Sequence, residues 1–133
     1  MILVDTNVLL DVVTDDPRWA GWSQAQLDAA SLADRMVINP VIYSELSIAF
    51  SRIEELEAVL TEAGVTVEEI PREALFLAGK VFVDYRRRQG TKQGVLPDFH
   101  VGAHAAVMRW PILTRDVSRY RSHFPTVALI TPQ

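Results

Sequence analysis

The sequence predicts an α/β protein: a single-domain, three-layer α/β/α sandwich with a mainly parallel central sheet. Short apolar runs of strand length alternate with longer stretches of helical period, and no internal repeat or linker interrupts them. Strands separated by helices are joined by right-handed crossovers, which place helices on both faces of a parallel sheet. The 133 residues suffice for one domain with a real core, so we expect one domain over residues 1–133.

The first element is a strand that ends on an acid. Ile2–Val4 is a continuous apolar run, as expected of a strand buried on both faces, and Asp5 follows it directly. Thr6–Val13 begins the first helix. A second helix is predicted over Ser23–Asp34, with its first residue as N-cap and Gln26 completing a capping box.

The stretch MVINP predicts the second strand and the start of the next helix. Asn39 is placed as its N-cap and Pro40 at its first position, where the missing N–H costs nothing. That helix continues over Val41–Phe50, and a further helix is predicted over Ile53–Ala63. Gly64 is expected to end the second of them.

The second half of the chain continues the alternation. VTVEEI is the third strand, and Pro71 opens a long helix that ends in the cationic cluster Arg86–Arg88, where the helix dipole favours positive charge. QGTKQG is a loop, and Pro97 opens a helix that runs to about Met108. PILT and VALI supply the last two strands.

Four acids are predicted at one edge of this sheet. Asp5 follows the first strand, Glu45 lies in the second turn of the helix after MVI, and Asp98 lies in the first turn of its helix. Asp116 comes two residues after Thr114, at the end of the fourth strand. In parallel α/β sheets, ligands bind beyond the carboxyl ends of the strands, so these acids mark a candidate site.

Clustered carboxylates favour a bound cation. Like charges in a poorly hydrated cleft raise one another's pKa values, and a cation reverses this effect. Oxygen ligands without cysteine favour a hard ion such as Mg²⁺ or Mn²⁺, which activates water and neutralises charge on a phosphoryl group. Asn7 and Thr114 are placed to orient the ligands. Helix capping alone would explain three of the acids, but Glu45 lies too far into its helix to cap it.

Four segments resemble a known family: ILVDTNVLLD, VIYSEL, LPDFHVGAHA and ILTRDVSRYRSHFPTVALITP. Together they resemble the PIN-domain family, and within it the VapC toxins of bacterial type II toxin–antitoxin pairs. The resemblance implies a Mg²⁺- or Mn²⁺-dependent endoribonuclease that hydrolyses RNA, forms a homodimer and is silenced by a cognate antitoxin. The residues carried over are the acidic quartet Asp5, Glu45, Asp98 and Asp116, the polar residue Asn7 and the hydroxyl Thr114.

Charge is distributed unevenly along the chain. The net charge is −4, yet residues 1–70 hold 13 acids and 3 bases, while residues 71–133 hold 4 acids and 10 bases. This asymmetry favours a polyanion-facing surface or a charged partner, although ordinary solvated helix faces would also produce it. The candidate contacts to RNA or antitoxin are Arg115, Arg119 and Arg121, which flank Asp116, and Arg86 and Arg87.

Two groups of side chains have open roles. His100 and His104 are spaced i, i+4, which suits zinc, but no Glu of a zinc-protease motif lies between them, and packing is the simpler interpretation. They stand where the resembled family usually has apolar residues. Trp19, Trp22 and Tyr43 would suit an antitoxin if exposed and are core if buried.

Several other classes are disfavoured. A haloacid-dehalogenase-type phosphatase needs a second acid at Asn7, a receiver domain needs a lysine where Arg115 stands, and no glycine-rich phosphate loop is present. The remaining alternative is a non-catalytic RNA- or protein-binding module on the same fold. The absence of cysteine fits a reducing cytosol, and we expect a cytoplasmic protein with no signal peptide and no membrane span.

Overall fold

Residues 1–132 are described by a computed structural model. The strands are β1 (Ile2–Val4), β2 (Met36–Ile38), β3 (Val65–Val67), β4 (Ile112–Leu113) and β5 (Leu129–Ile130). The helices are α1 (Thr6–Val13), α2 (Ala20–Ala33), α3 (Pro40–Ser47), α4 (Ile53–Ala63), α5 (Arg72–Arg87) and α6 (Leu96–Met108), and Val117–Arg119 forms a 3-10 turn.

The five strands form one parallel sheet in the order β3-β2-β1-β4-β5, flanked by helices. The predicted α/β architecture is therefore confirmed. The chain leaves β1 in one direction along the sheet and later returns to pair β4 on its other side, so the topological switch point lies between these two strands. Leu3 pairs with Ile112 and Val4 with Leu113, which brings the residues that follow β1 and β4 side by side.

The central strands are buried on both faces. Leu3, Val4, Val37, Ile38 and Ile112 are all fully inaccessible, as expected for strands covered by helices on each side. These residues form the main core together with apolar side chains of α1 to α4. No helix among residues 1–132 is long and apolar enough to cross a membrane.

Helices α5 and α6 pack on each other through a second, smaller core. Its buried members are Ala74, Ala78, Val95, Phe99, Ala103 and Phe124. Gly102 lies against this core, because a Cβ there would overlap the ring of Phe124. Small side chains thus allow α6, which carries Asp98, to lie close to its neighbours.

The predicted start of α2 is wrong. The helix begins at Ala20 rather than Ser23, and Ser23 is a buried residue inside it whose hydroxyl donates to Asp11 Oδ2 at 2.8 Å. The hydroxyl therefore satisfies a buried carboxylate instead of capping a helix end, and no capping box forms with Gln26. The third helix is also shorter than expected, since α3 ends at Ser47 and not at Phe50.

The predicted cap of α3 agrees with the structure and connects to a buried histidine. Asn39 Oδ1 accepts from the backbone N–H of Ile42 at 2.9 Å, and its Nδ2 lies 3.2 Å from Nδ1 of His104. His104 is fully buried, and its ring centroid lies 5.0 Å from that of Trp110. Burial lowers the pKa of His104 to about 4. This histidine is thus packed in the core, as the simpler interpretation expected, while His100 is half-buried.

We predict that His104 makes the fold sensitive to mild acid. Because its pKa is about 4 in the folded chain and 6.5 in the unfolded chain, only the unfolded chain gains a proton between those pH values. The contribution of neutral His104 to the free energy of unfolding is therefore complete above pH 6.5. It is lost as pH falls, by roughly 3 kcal/mol at most. Urea unfolding between pH 7 and pH 4 measures this loss. His104→Gln should flatten the pH dependence, and an unchanged slope in that variant would contradict the assignment.

Candidate metal centre

Asp5 is the most enclosed acid of the site. It lies at the carboxyl end of β1 with no solvent exposure, and its Oδ1 accepts from the backbone N–H of Thr6 at 2.8 Å, which caps α1. Its Oδ2 accepts from Thr114 Oγ1 at 2.8 Å and from Asn7 Nδ2 at 3.2 Å. Burial raises the pKa of Asp5, although Arg119 and the hydrogen bonds from Thr114 and the Thr6 backbone act against the rise.

Three of the predicted acids meet at one arginine. Arg119 donates from Nε to Asp98 Oδ1 at 2.5 Å, from Nη1 to Asp5 Oδ1 at 2.6 Å, and from Nη2 to Glu45 Oε2 at 3.3 Å. Its side chain is only 12% exposed. Burial lowers the pKa of Arg119, but the carboxylates, Asp5 foremost, outweigh it and hold that pKa above its ordinary value. The cluster therefore already holds a cation, the guanidinium.

Glu45 is positioned by the neighbouring helix. It lies one turn into α3, and Thr6 Oγ1 donates to Glu45 Oε1 at 2.6 Å. Its side chain is 33% exposed, so this carboxylate lies on the solvent side of the cluster. Residue Thr6 therefore links two acids, since its N–H binds Asp5 and its hydroxyl binds Glu45. This supporting role is visible only in the structure.

Asp116 is not joined to the other three acids. It is exposed, its Oδ1 accepts from Ser118 Oγ at 2.8 Å, and its backbone N–H donates to Thr114 Oγ1 at 3.0 Å. The carboxylate is thus engaged with its own 3-10 turn, next to the site. Thr114 connects this turn to the acid cluster, because its hydroxyl also donates to Asp5.

An unpredicted ion pair anchors the loop after β4. Asp11 on α1 is buried and accepts from Arg115 Nε at 2.8 Å and Nη2 at 3.0 Å. The Arg115 guanidinium also lies 5.4 Å from the ring centroid of Trp19. The backbone N–H of Arg115 donates to Asn7 Oδ1 at 3.2 Å. The sequence contained a signal for this ion pair, because Asp11 interrupts an apolar helical run. A buried carboxylate needs a partner.

Within residues 1–132, no hydrogen bond joins the remaining candidate residues to the four acids. Arg86 packs over the ring of Phe82 at 5.9 Å, and its neighbour Arg87 ends α5. Trp22 stacks edge-on against Trp19, with both indoles half-buried. The remaining aromatic, Tyr43, is half-buried and donates to Glu57 at 2.7 Å.

The donor set fits a hard divalent cation. Asp5, Glu45 and Asp98 offer only carboxylate oxygens, and their contacts to a single guanidinium show that positive charge is stabilised where they meet. Within residues 1–132, no three His, Asp or Glu side chains are placed as a group that could hold a metal ion as they stand, and Arg119 lies among these acids. A cation at this point would have to share or replace the guanidinium's partners.

A match to a family model identifies the family of the chain. The PIN domain model matches residues 2–121. The chain belongs to the PIN-domain family. No curated protein sequence matches this PIN domain significantly.

Solved structures support the same fold. VapBC2 from Rickettsia felis, bound to a DNA fragment from its promoter, has a TM-score of 0.75 at 14% identity and covers 98% of each chain. A toxin–antitoxin complex from Klebsiella pneumoniae has a TM-score of 0.71 at 19% identity, covering 100% of this chain and 98% of that one. VapBC-1 from nontypeable Haemophilus influenzae has a TM-score of 0.70 at 18% identity, again covering 98% of each chain. At such identities the likeness establishes the shared fold.

We predict that the Thr114 hydroxyl is needed to hold the buried acid. Thr114→Val keeps the shape but leaves Asp5 Oδ2, Asn7 Nδ2 and the Asp116 N–H each short of one partner. The free energy of unfolding should fall by about 1–3 kcal/mol, measured by urea unfolding in EDTA. Thr114→Ser, which keeps the hydroxyl, is the matched control. Equal stability of the two variants would show that this network contributes little.

Proposed function

We propose that this PIN domain is a Mg²⁺- or Mn²⁺-dependent endoribonuclease and the VapC-type toxin of a toxin–antitoxin pair. The observation that carries the proposal is the convergence of Asp5, Glu45 and Asp98 on one cationic group at the switch point of the sheet. Carboxylates from three separate elements meet there, which capping alone does not explain. Each also has oxygen atoms suited to a hard metal ion.

We assign the metal to Asp5, Glu45 and Asp98, with Asp116 contributing from the adjacent 3-10 turn. When bound, Mg²⁺ or Mn²⁺ would supply an activated water and neutralise the charge that develops on a phosphodiester during hydrolysis. The chain's own residues orient the ligands. Thr114 and Asn7 hold Asp5 from one side, while Thr6 holds Glu45.

RNA is the proposed substrate because the family resemblance implies it, and recognition rather than mechanism would exclude DNA. The family resemblance also implies products that carry a 5′-phosphate and a 3′-hydroxyl. Metal-assisted hydrolysis does not use the 2′-hydroxyl as nucleophile, so a deoxy substrate is not excluded by mechanism. Arg115 is the best-placed phosphate contact. Its guanidinium is oriented by Asp11, and its side chain is 30% exposed beside the site.

An antitoxin partner is proposed from the structural neighbours. The Klebsiella pneumoniae neighbour is a toxin–antitoxin complex, and its fold matches this chain along nearly its full length. A homodimer and a cytoplasmic location are proposed with it. The alternative, a non-catalytic RNA- or protein-binding module, is less consistent with a chain that keeps the three converging acids and Asp116.

We predict metal-dependent cleavage that depends on Asp5. Purified protein should cut a structured RNA pool with Mg²⁺ and leave it intact with EDTA, and the new ends should carry 5′-phosphate. Asp5→Asn removes one ligand charge and should reduce the rate by at least about 100-fold. The matched control is Asp84→Asn, an exposed acid on α5 paired with Arg88, which should cleave like the wild type. RNA binding without cleavage by the wild type would instead favour the non-catalytic module.

A further inference from the structure

The point where the acids converge is filled by the chain itself. Arg119 uses all three guanidinium nitrogens, one toward each of Asp5, Glu45 and Asp98. With these acids ionised, the guanidinium offsets only one of three negative charges. The cluster therefore remains attractive to a cation of higher charge.

The hydrogen bonds of Asp5 show why a second cation cannot simply be added. A carboxylate has about four acceptor positions. In Asp5, Oδ1 accepts from the Thr6 N–H and from Arg119, and Oδ2 accepts from Thr114 and Asn7. All four positions are therefore in use. A metal ion can bind Asp5 only if one of these donors withdraws.

Arg119 is the donor that can withdraw most easily. Thr6 and Asn7 belong to α1, and Thr114 follows β4, so their positions are set by the sheet and its first helix. Arg119 instead reaches the cluster with a long side chain from a three-residue 3-10 turn. That side chain can swing away by rotation about its own bonds, and the backbone need not move.

We propose that Arg119 is an internal counter-ion that occupies the metal position in the metal-free protein and is displaced when a divalent cation binds. This inference rests on the proposed function, because it assumes that the same acids bind metal. Metal binding is then an exchange of one cation for another. Arg119 keeps the acids assembled before metal arrives and lowers their apparent affinity for it, which makes it an autoinhibitory contact.

Isothermal titration with MnCl₂ tests the exchange. Arg119→Gln removes the competing charge and should bind Mn²⁺ at least about tenfold more tightly than the wild type. Arg35→Gln is the matched control, because Arg35 is exposed and lies before β2, at the opposite edge of the sheet. It makes the same change in net charge and should bind Mn²⁺ like the wild type. Equal or weaker binding by Arg119→Gln would overturn the proposal.

A measurement on the unmodified protein gives an independent readout. The Arg119 Nε–H donates to Asp98, so its ¹⁵N–¹H signal in EDTA should be protected from exchange with water. On saturation with Mg²⁺ that protection should be lost. A protected signal that persists at saturating Mg²⁺ would overturn displacement, even if Arg119→Gln folds poorly.

The two proposals can fail separately. If Mn²⁺ binds the wild type and Arg119→Gln equally and Asp5→Asn abolishes binding, the metal site stands and the counter-ion role of Arg119 falls. If neither the wild type nor Arg119→Gln binds Mn²⁺ or Mg²⁺, both proposals fall. The acids would then be a structural ion-pair network held by Arg119.

Discussion

The site depends on a carboxylate held without solvent at the end of a buried strand. An unpaired buried charge is costly, so Asp5 requires donors on every side. The protein supplies them from both sides of the switch point: Thr6 and Asn7 after β1, and Thr114 after β4. The same requirement accounts for Arg119, whose guanidinium approaches from the remaining, more open side. Burial at this point thus dictates which polar groups must gather there.

Much of the fold follows from sequence because its signals are local. Continuous apolar runs marked the strands, and Asn39 with Pro40 marked the start of α3, where the side chain caps the helix as expected. Gly64 ends α4 in the left-handed conformation, with φ of 71°. Ser23 was misassigned as a cap because its role is tertiary. It satisfies Asp11 from another helix, which a local pattern cannot reveal.

The site was predictable only in part, because a local sequence pattern does not reveal contacts between distant residues. Strand ends located Asp5, and helix positions placed Glu45 and Asp98 near the same edge. Their shared partner was not predictable, because Arg119 lies 21 residues from Asp98 and 74 from Glu45 in sequence. The side-chain direction of Asp116 was equally hidden, since Ser118 competes for it within its own turn. Long-range pairing and rotamer choice are what the sequence pattern leaves open.

The central claim is that the converging acids form a divalent metal site. Anomalous diffraction from crystals soaked in MnCl₂ tests it most directly, because it locates the ion without relying on activity. The account predicts an anomalous peak among Asp5, Glu45 and Asp98, with the Arg119 side chain moved out of the cluster. No peak at saturating Mn²⁺, with Arg119 still bonded to all three acids, would contradict it.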